Sequence, residues 1–356
     1  MIEEKLRNAL QNGQMEPPVG FEARSDQQLR TLIAKEEKQV KRFPMVAIVC
    51  LMVLCMATAV AAGIVTWQRG LEDKLRVTDE IRQTYEETEL FQEPKLSVTD
   101  QGVTVTLEEY IVDKHAAFIA FRVSGYELPE GQQPAFDEVR YDVDIEGSYG
   151  GNWSFYNGLL TNNDGKAVHL DGTPFEKETY VGENGDLMFI INMICSVDNY
   201  VGKTIHIELE NLGTYTGKAG DVVVDVPGRW EFEWVLEGSD LAISKENLSL
   251  PIGKSGSSLN GMRLSPVYVE LDMTVPRNPE DRESTRHVPY LYGVKMKDGT
   301  VHAYITDGGM QGYIDFESER FMMKYALDRI IIPQDVESLL FTSPLDDSGV
   351  LEVKMP

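Results

Sequence analysis

The spacing of apolar residues separates a helical N-terminal part of the chain from a much longer β-rich part. In the long C-terminal part, apolar residues recur at every second position, as in Val103, Val105 and Leu107 and over residues 230–234 and 267–275. A period of two predicts strands with one buried face. Asp-Gly turn signals separate these stretches. We therefore predict a mainly β fold.

The predicted strands divide into two blocks near residues 237–239, where Glu-Gly-Ser follows an aromatic strand. We predict two immunoglobulin-like β-sandwich domains, residues 96–236 and 237–356, because each block has the length of one sandwich. A chain of 356 residues also exceeds what a single hydrophobic core normally supports.

An uncharged apolar run covers the 21 residues 45–65. As a helix it would be ~32 Å long, close to the ~30 Å hydrocarbon core of a bilayer. We predict a transmembrane helix over residues 43–67 that contacts the lipid bilayer through residues 45–65. The alternative is a cleaved signal peptide, since residues 57–59 read Ala-Thr-Ala, but the 42 residues before the run are too long for a signal peptide's charged region.

More Lys and Arg residues lie just before the apolar run than just after it. This excess favours a cytoplasmic N-terminus. We therefore predict a single-pass protein of the cell membrane with its C-terminus outside the cell. After the span, residues 68–95 are rich in helix-forming residues, with Leu71, Leu75 and Ile81 loosely in register, and predict a helical stalk or linker.

The formal net charge of -25 lies almost entirely beyond the apolar run. Residues 1–42 carry eight basic and seven acidic residues, whereas the remainder carries 25 and 51. A surface of this sign repels phosphate backbones, so we expect no direct binding of nucleic acid. Cys50 and Cys55 fall inside the apolar run, and Cys195 alone cannot form a disulfide scaffold.

The cytoplasmic helical segment, residues 1–42, shows two short amphipathic patterns separated by Pro17 and Pro18. Helices this short are marginal alone in water, so their apolar faces need a partner. The candidate partner-binding residues are Leu6, Leu10, Phe21, Leu29 and Leu32. The alternative interpretation is a disordered tail with accidental periodicity.

Motifs for catalysis are absent from the sequence. Neither H-E-x-x-H nor G-x-S-x-G occurs, and the five histidines are scattered, so we expect no enzymatic activity and no cofactor. Asp142, Asp144 and Glu146 share one face of a predicted strand. They would bind Ca²⁺ if oxygen atoms of the loop 162–164 converged on them. The alternative is a solvated acidic face.

Several stretches resemble a poorly characterised family of Gram-positive single-pass membrane proteins. They are PPVGFEAR at residues 17–24, Lys41-Arg42, SVTDQGVTVTLEE at residues 97–109 and GRWEFEW at residues 228–234. Members have an extracellular domain of unknown function and are often described as anti-sigma-factor-like. The resemblance implies a β-sandwich ectodomain and a cytoplasmic sigma-factor partner, but it supplies no catalytic or ligand residues. Zinc-type anti-sigma domains use a His/Cys cluster that residues 1–42 lack.

Two functions fit these observations. The first is a membrane-anchored regulator of the anti-sigma-factor type that senses an extracellular condition or ligand. The second is a non-enzymatic cell-surface binding or structural module with an inert cytoplasmic tail. Because the span contains no charged residue, signalling through it is expected to involve cleavage within about residues 57–93 or altered association there.

Overall fold

A computed structural model describes most of residues 70–356. Within that range the undescribed residues are 148, 177, 183, 197–198, 218–220, 278–284, 286, 316 and 345. Strands dominate the regular structure, which confirms the mainly β prediction. The predicted cytoplasmic segment and the predicted span lie outside the described residues. Among the described residues, no helix has the length and apolar character needed to cross a membrane.

The described part of the predicted stalk contains two short helices, α1 (Leu71–Lys74) and α2 (Asp79–Tyr85). Helix α1 gives way to a turn in which Arg76 adopts the left-handed conformation, with φ of 53°. Thr78 caps the start of helix α2, because its side chain accepts a hydrogen bond from the backbone N–H of Ile81. The segment is therefore a bent pair of helices and not one continuous helix.

The first β domain follows these helices directly. Its strands are β1 (Phe91–Gln92), β2 (Leu96–Asp100), β3 (Val103–Asp113), β4 (Ala116–Ser124), β5 (Pro134–Val143), β6 (Tyr149–Phe155), β7 (Leu159–Thr161), β8 (Ala167–His169), β9 (Leu187–Cys195), β10 (Thr204–Tyr215) and β11 (Val222–Val235). A six-stranded sheet has the order β1-β3-β4-β9-β6, with β2 also paired to β3, and a second sheet has the order β11-β10-β5. Apolar residues of both sheets form one core.

The second β domain begins after a short linker. Its strands are β12 (Ile243–Lys245), β13 (Leu250–Ile252), β14 (Ser257–Leu264), β15 (Tyr268–Thr274), β16 (Tyr290–Met296), β17 (Val301–Ala303), β18 (Thr306–Tyr313), β19 (Arg320–Leu327), β20 (Val336–Ser343) and β21 (Asp346–Lys354), with a 3-10 turn at Pro333–Asp335. A six-stranded sheet, β12-β14-β15-β19-β18 with β13 on β14, packs over the sheet β17-β16-β20-β21.

The two β domains share one strand topology. When strands are matched in chain order, β3, β4, β6 and β9 of the first domain correspond to β14, β15, β18 and β19 of the second. The smaller sheets match in the same way, since β5-β10-β11 corresponds to β16-β20-β21. The described chain is therefore built from two structural repeats, although the sequence shows no close internal repeat. Both repeats belong to one compact unit.

A β-bulge changes which residues of β3 face the core. Alternate residues of 103–107 enter the core, but after a register shift the core residues of 110–112 are the even-numbered ones. The bulge thus leaves both Glu108 and Glu109 on the outer face of the sheet. A corresponding register shift occurs between β14 and β15.

Substitution of Trp230 tests whether the apolar cluster between the two sheets of the first β domain is the core of that domain. Its ring is fully buried, contacts Phe136, and its Nε1 donates to the Val103 carbonyl at 3.1 Å. Trp230→Phe should lower the free energy of unfolding by about 2 kcal/mol, because it leaves a void and removes this donor. Trp153, which is 43% exposed, is the matched control, and Trp153→Phe should cost less than about 0.5 kcal/mol. Urea titration of the full chain in detergent measures both; equal effects would contradict the assignment.

Candidate functional site

The segment of residues 70–92, called here the docking segment, contains α1, α2 and the edge strand β1, and its apolar side chains contact both β domains. Leu71, Leu75 and Leu90 are each 0% exposed. They share an apolar cluster, distinct from the two domain cores, with residues of both domains: Ile111, Phe118, Ile190 and Ile194 of the first, and Val267, Tyr268, Ala326 and Ile330 of the second. Each leucine contributes about 2 kcal/mol through burial. The segment therefore stabilises the junction between the domains.

A buried carboxylate receives the start of helix α1. The backbone N–H of Leu71 donates to the side chain of Glu109, which the bulge places on the outer face of β3. Such a contact satisfies one of the N–H groups that the first turn of a helix leaves unpaired. The neighbouring Glu108 is also buried, but it pairs with Lys95 at 2.7 Å and with Arg122. Two adjacent glutamates therefore have different partners.

Burial raises the pKa of Glu109 to about 7. The N–H of Leu71 and the charge of Lys95 act in the opposite direction and offset only part of this shift. Among the described residues, no salt bridge joins Glu109 to a cation. A carboxyl group with this pKa changes its charge close to neutral pH.

Polar contacts also hold the docking segment to the second β domain. They are Ile330 N–H to the Leu75 carbonyl (2.9 Å), Tyr85 hydroxyl to the Ile331 carbonyl (2.9 Å), and Lys74 Nζ to Asp307 Oδ2 (2.9 Å). The first two have backbone carbonyl acceptors at buried positions, where an unmade hydrogen bond costs about 1–3 kcal/mol. These contacts fix where the segment lies along the surface of the second β domain, in addition to how deeply its leucines are buried.

Arg76 joins the docking segment to both β domains. Its guanidinium donates to the Thr161 carbonyl at 2.7 Å in the first domain and to Asp328 Oδ2 at 2.9 Å in the second. Asp328 also accepts from Arg329, whose Nη1 lies 3.2 Å from Nδ1 of His302. Burial, and then the charge of Arg329, lower the pKa of His302. The buried carboxylate of Asp328 thus accepts hydrogen bonds from two arginines, Arg76 and Arg329, at the junction.

The end of β3 holds the linker between the domains. The backbone N–H of Ser239 donates to the Val112 carbonyl at 3.0 Å, and Asp113 accepts from the N–H of Leu241 at 3.0 Å. Burial raises the pKa of Asp113 to about 6. The outer face of one strand therefore binds the docking segment through Glu109 and the linker through Asp113.

A cluster of charged side chains, separate from the docking site, covers the outer face of β5, β10 and β11. Its cross-strand rows are Asp142–His206–Glu233, Arg140–Glu208–Glu231 and Glu138–Glu210–Arg229. His206, Glu208 and Glu231 offer ligand atoms within 4.8 Å of one another, as a metal ion would need. However, Arg229 and Arg140 already approach Glu208 at 2.7 and 3.1 Å. A metal ion would have to displace a guanidinium, so we assign no metal site here.

The predicted Ca²⁺ ligands Asp142, Asp144 and Glu146 lie at or beyond the end of β5, and all three are exposed. Asp142 accepts a hydrogen bond from the Tyr149 hydroxyl at 3.0 Å. The loop 162–164 contacts the second β domain through the Asn163 side chain, which donates to the Val301 carbonyl at 3.2 Å. Within the described contacts, none joins this loop to the three carboxylates. The Ca²⁺ site stays a prediction.

The predicted partner-binding residues Leu6, Leu10, Phe21, Leu29 and Leu32 lie outside the described residues.

The docking site, formed by residues 70–92 and the outer face of β3, is not among the sites predicted from the sequence. The sequence does contain a signal for this site in β3. Apolar residues occupy every second position from Val103 to Leu107, and this alternation shifts by one position at Glu108. A pair of glutamates at that shift in an otherwise apolar strand indicates a bulge beneath a covering element.

Comparison with known proteins matches part of the chain to a family without an assigned activity. The family described as "Domain of unknown function (DUF4179)" matches residues 35–125. A solved structure, described as that of the conserved domain protein from Bacillus anthracis, is 14% identical, with 74% of this chain and 84% of that chain covered and a TM-score of 0.47. No curated protein matches the chain.

Arg76 provides a direct test of the docking site. Arg76→Met keeps the aliphatic stem and Cβ but removes every donor, so it should weaken docking by about 1–3 kcal/mol. Subtilisin should then cleave residues 70–92 of the full chain roughly tenfold faster. Arg82→Met is the matched control, because Arg82 pairs with Glu72 inside the segment. If both variants are cleaved at the wild-type rate, Arg76 does not secure the segment.

Proposed function

We propose that the protein is a membrane-anchored regulator of the anti-sigma-factor type. In this proposal residues 45–65 span the cell membrane, and the immunoglobulin-like β domains lie outside the cell and sense an external condition. The cytoplasmic N-terminus binds a sigma factor, and the protein catalyses no reaction. The observation that carries the proposal is the docking segment, whose contacts depend on both β domains at once.

The docking segment lies close in sequence to the predicted span. Five residues separate Val65 from Leu71, so the two are six residue steps apart and at most ~22 Å from each other when the chain is fully extended. A change in the packing of the β domains therefore acts on the chain within a short distance of the membrane. The stretch matched by the family, residues 35–125, contains the predicted span, the docking segment and β1 to β4 together. This supports their operation as one unit.

Docking also determines whether a protease can reach residues 70–92, which form part of the predicted cleavage region. Backbone that is packed and hydrogen-bonded resists proteases, which need an extended and accessible chain. While Leu71 and Leu75 are buried, residues 70–92 are a poor substrate. Undocking would expose them while the core between the two sheets of each β domain stays packed, because those cores are separate from the docking cluster. We therefore propose that undocking precedes any cleavage or change of association within residues 57–93.

The sigma-factor part of the proposal rests on the five apolar residues named above for the cytoplasmic segment. Co-purification of the full chain with the sigma factor encoded beside its gene should succeed, and Phe21→Asp or Leu29→Asp should reduce recovery at least tenfold, because each buries a charge in an apolar contact. Gln27→Asp adds the same charge to the opposite side of the predicted helix and should leave recovery unchanged. Recovery unaffected by all three substitutions would contradict a helix-mediated contact.

A second function, a non-enzymatic cell-surface binding module, is favoured by the charged outer face of β5, β10 and β11. Six carboxylates and two guanidiniums lie there on neighbouring strands, and this excess of negative charge suits a cationic partner. Deleting residues 2–40 separates the two functions. The regulator should lose control of its target genes on deletion, whereas a binding module should keep its surface phenotype and change no gene's expression. Transcript profiling together with surface assays of the deletion strain makes this measurement.

A further inference from the structure

Glu109 occupies an unusual position for a charged group. Its carboxyl lies on the outer face of β3 beneath α1, and the residue is 8% exposed. It accepts the N–H of Leu71, the first residue of the helix. Next to it on the same face of β3, Ile111 contacts the docking leucines. Removing the docking segment would therefore expose this carboxyl to water.

We propose that the docking segment is a proton-dependent latch, which tightens as the pH around the β domains falls from about 8.5 to 6 and loosens as it rises. This inference deepens the proposed function by naming its input. The latch itself involves only residues of the β domains and the docking segment, so it can be tested without a sigma factor.

The charges that face Glu109 do not neutralise it. They come from α2 and the β1–β2 connection: Arg82, Glu93 and Lys95. Arg82 pairs with Glu72, and Lys95 pairs with Glu108 and Glu93. Since each nearby cation has another carboxylate partner, burial dominates and favours the protonated form of Glu109.

The sign of the effect follows from linkage. The pKa of Glu109 is about 7 when docked and returns to about 4.3 once the carboxyl is exposed to water. Docking therefore takes up a proton between these two values. The stabilisation from this proton is complete below about pH 4.3 and is lost as the pH rises through about 7. Alkaline conditions thus favour release of the segment.

Other groups at the junction act mainly at lower pH. Asp113, whose pKa is about 6, faces Tyr85, Asp240, Arg263 and Tyr268 and acts in the same direction as Glu109. His302 acts in the opposite direction, because its lowered pKa means that protonation beside Arg329 and Arg76 opposes docking. Near pH 6 these two contributions oppose each other, and above about pH 7 both are small, so substitution of Glu109 assigns the change in docking up to pH 8.5.

The test uses the full chain in detergent micelles, with subtilisin cleavage of residues 70–92 measured from pH 6.0 to 8.5. A synthetic peptide of residues 70–92, cleaved in the same tube, corrects for the protease's own pH dependence. Protection of the segment relative to the peptide should fall roughly tenfold from pH 6.0 to 8.5. Wild-type protection that does not change over this interval would overturn the latch.

Substitutions at Glu109 assign the effect to its carboxyl. Glu109→Gln keeps an acceptor for the Leu71 N–H but cannot ionise, so its protection should be independent of pH and exceed that of wild type at pH 8.5. Glu109→Asp retains a titrating group and should retain the pH dependence. Asp113→Asn is the matched control and should keep the wild-type dependence above about pH 6.5. If Glu109→Gln keeps the wild-type profile, another group is responsible and the proposal is wrong.

The experiments distinguish failure of the latch proposal from failure of the proposed regulator function. A flat protection profile in a chain that still co-purifies with a sigma factor would remove the latch and leave the regulator. A pH-dependent profile governed by Glu109, in a chain that binds no sigma factor, would establish the latch in a protein with another output.

Discussion

The structure depends on one constraint: the central strands β4 and β9 of the first six-stranded sheet are largely apolar on both faces, so neither face of these strands is stable when left in water. Strand β9 is buried at every position, and β4 is buried over its first six residues. One face is covered by the sheet β11-β10-β5. On the other face, the docking segment and the second β domain cover apolar residues of β3, β4 and β9. Burial of that face therefore joins three parts of the chain that are distant in sequence.

Polar groups on the covered face show that the fit is specific. A buried amide or carboxylate must find a partner on the covering element, or the loss of hydration goes uncompensated. Asn192, in the middle of β9, donates from its side chain to the Asp307 carbonyl at 2.6 Å, and Glu109 accepts from Leu71. Each contact joins the sheet to a different covering element. Apolar burial supplies most of the stability, and these polar contacts define the register in which the parts meet.

The sequence predicts the fold class well, because an alternating pattern is a local property of each strand. It predicts the junction poorly, for reasons visible in particular residues. Leu71 and Leu75 suit a stalk helix and a docked helix equally, and only the distant surface that covers them distinguishes the two. The continuous apolar run of β9, LMFIINMIC over residues 187–195, does indicate a strand covered on both faces, but it does not say by what. Arg76 and Asp328 are 252 residues apart, beyond the reach of any local pattern.

The outer face of the six-stranded sheet in the second repeat differs from that in the first. This sheet has the same topology, but the described apolar residues on its outer face lie around Tyr268 and Ala326. Farther along the same strands, Asp272 and Arg320 form a salt bridge at 2.8 Å, and Arg320 is largely exposed. A face of this kind is stable in water and needs no further layer. The difference between the two outer faces makes the junction one-sided: the first repeat requires cover, whereas the second supplies part of it and requires little. Because the remaining cover comes from the docking segment, the surface that completes the fold is also the part of the chain next to the predicted membrane span.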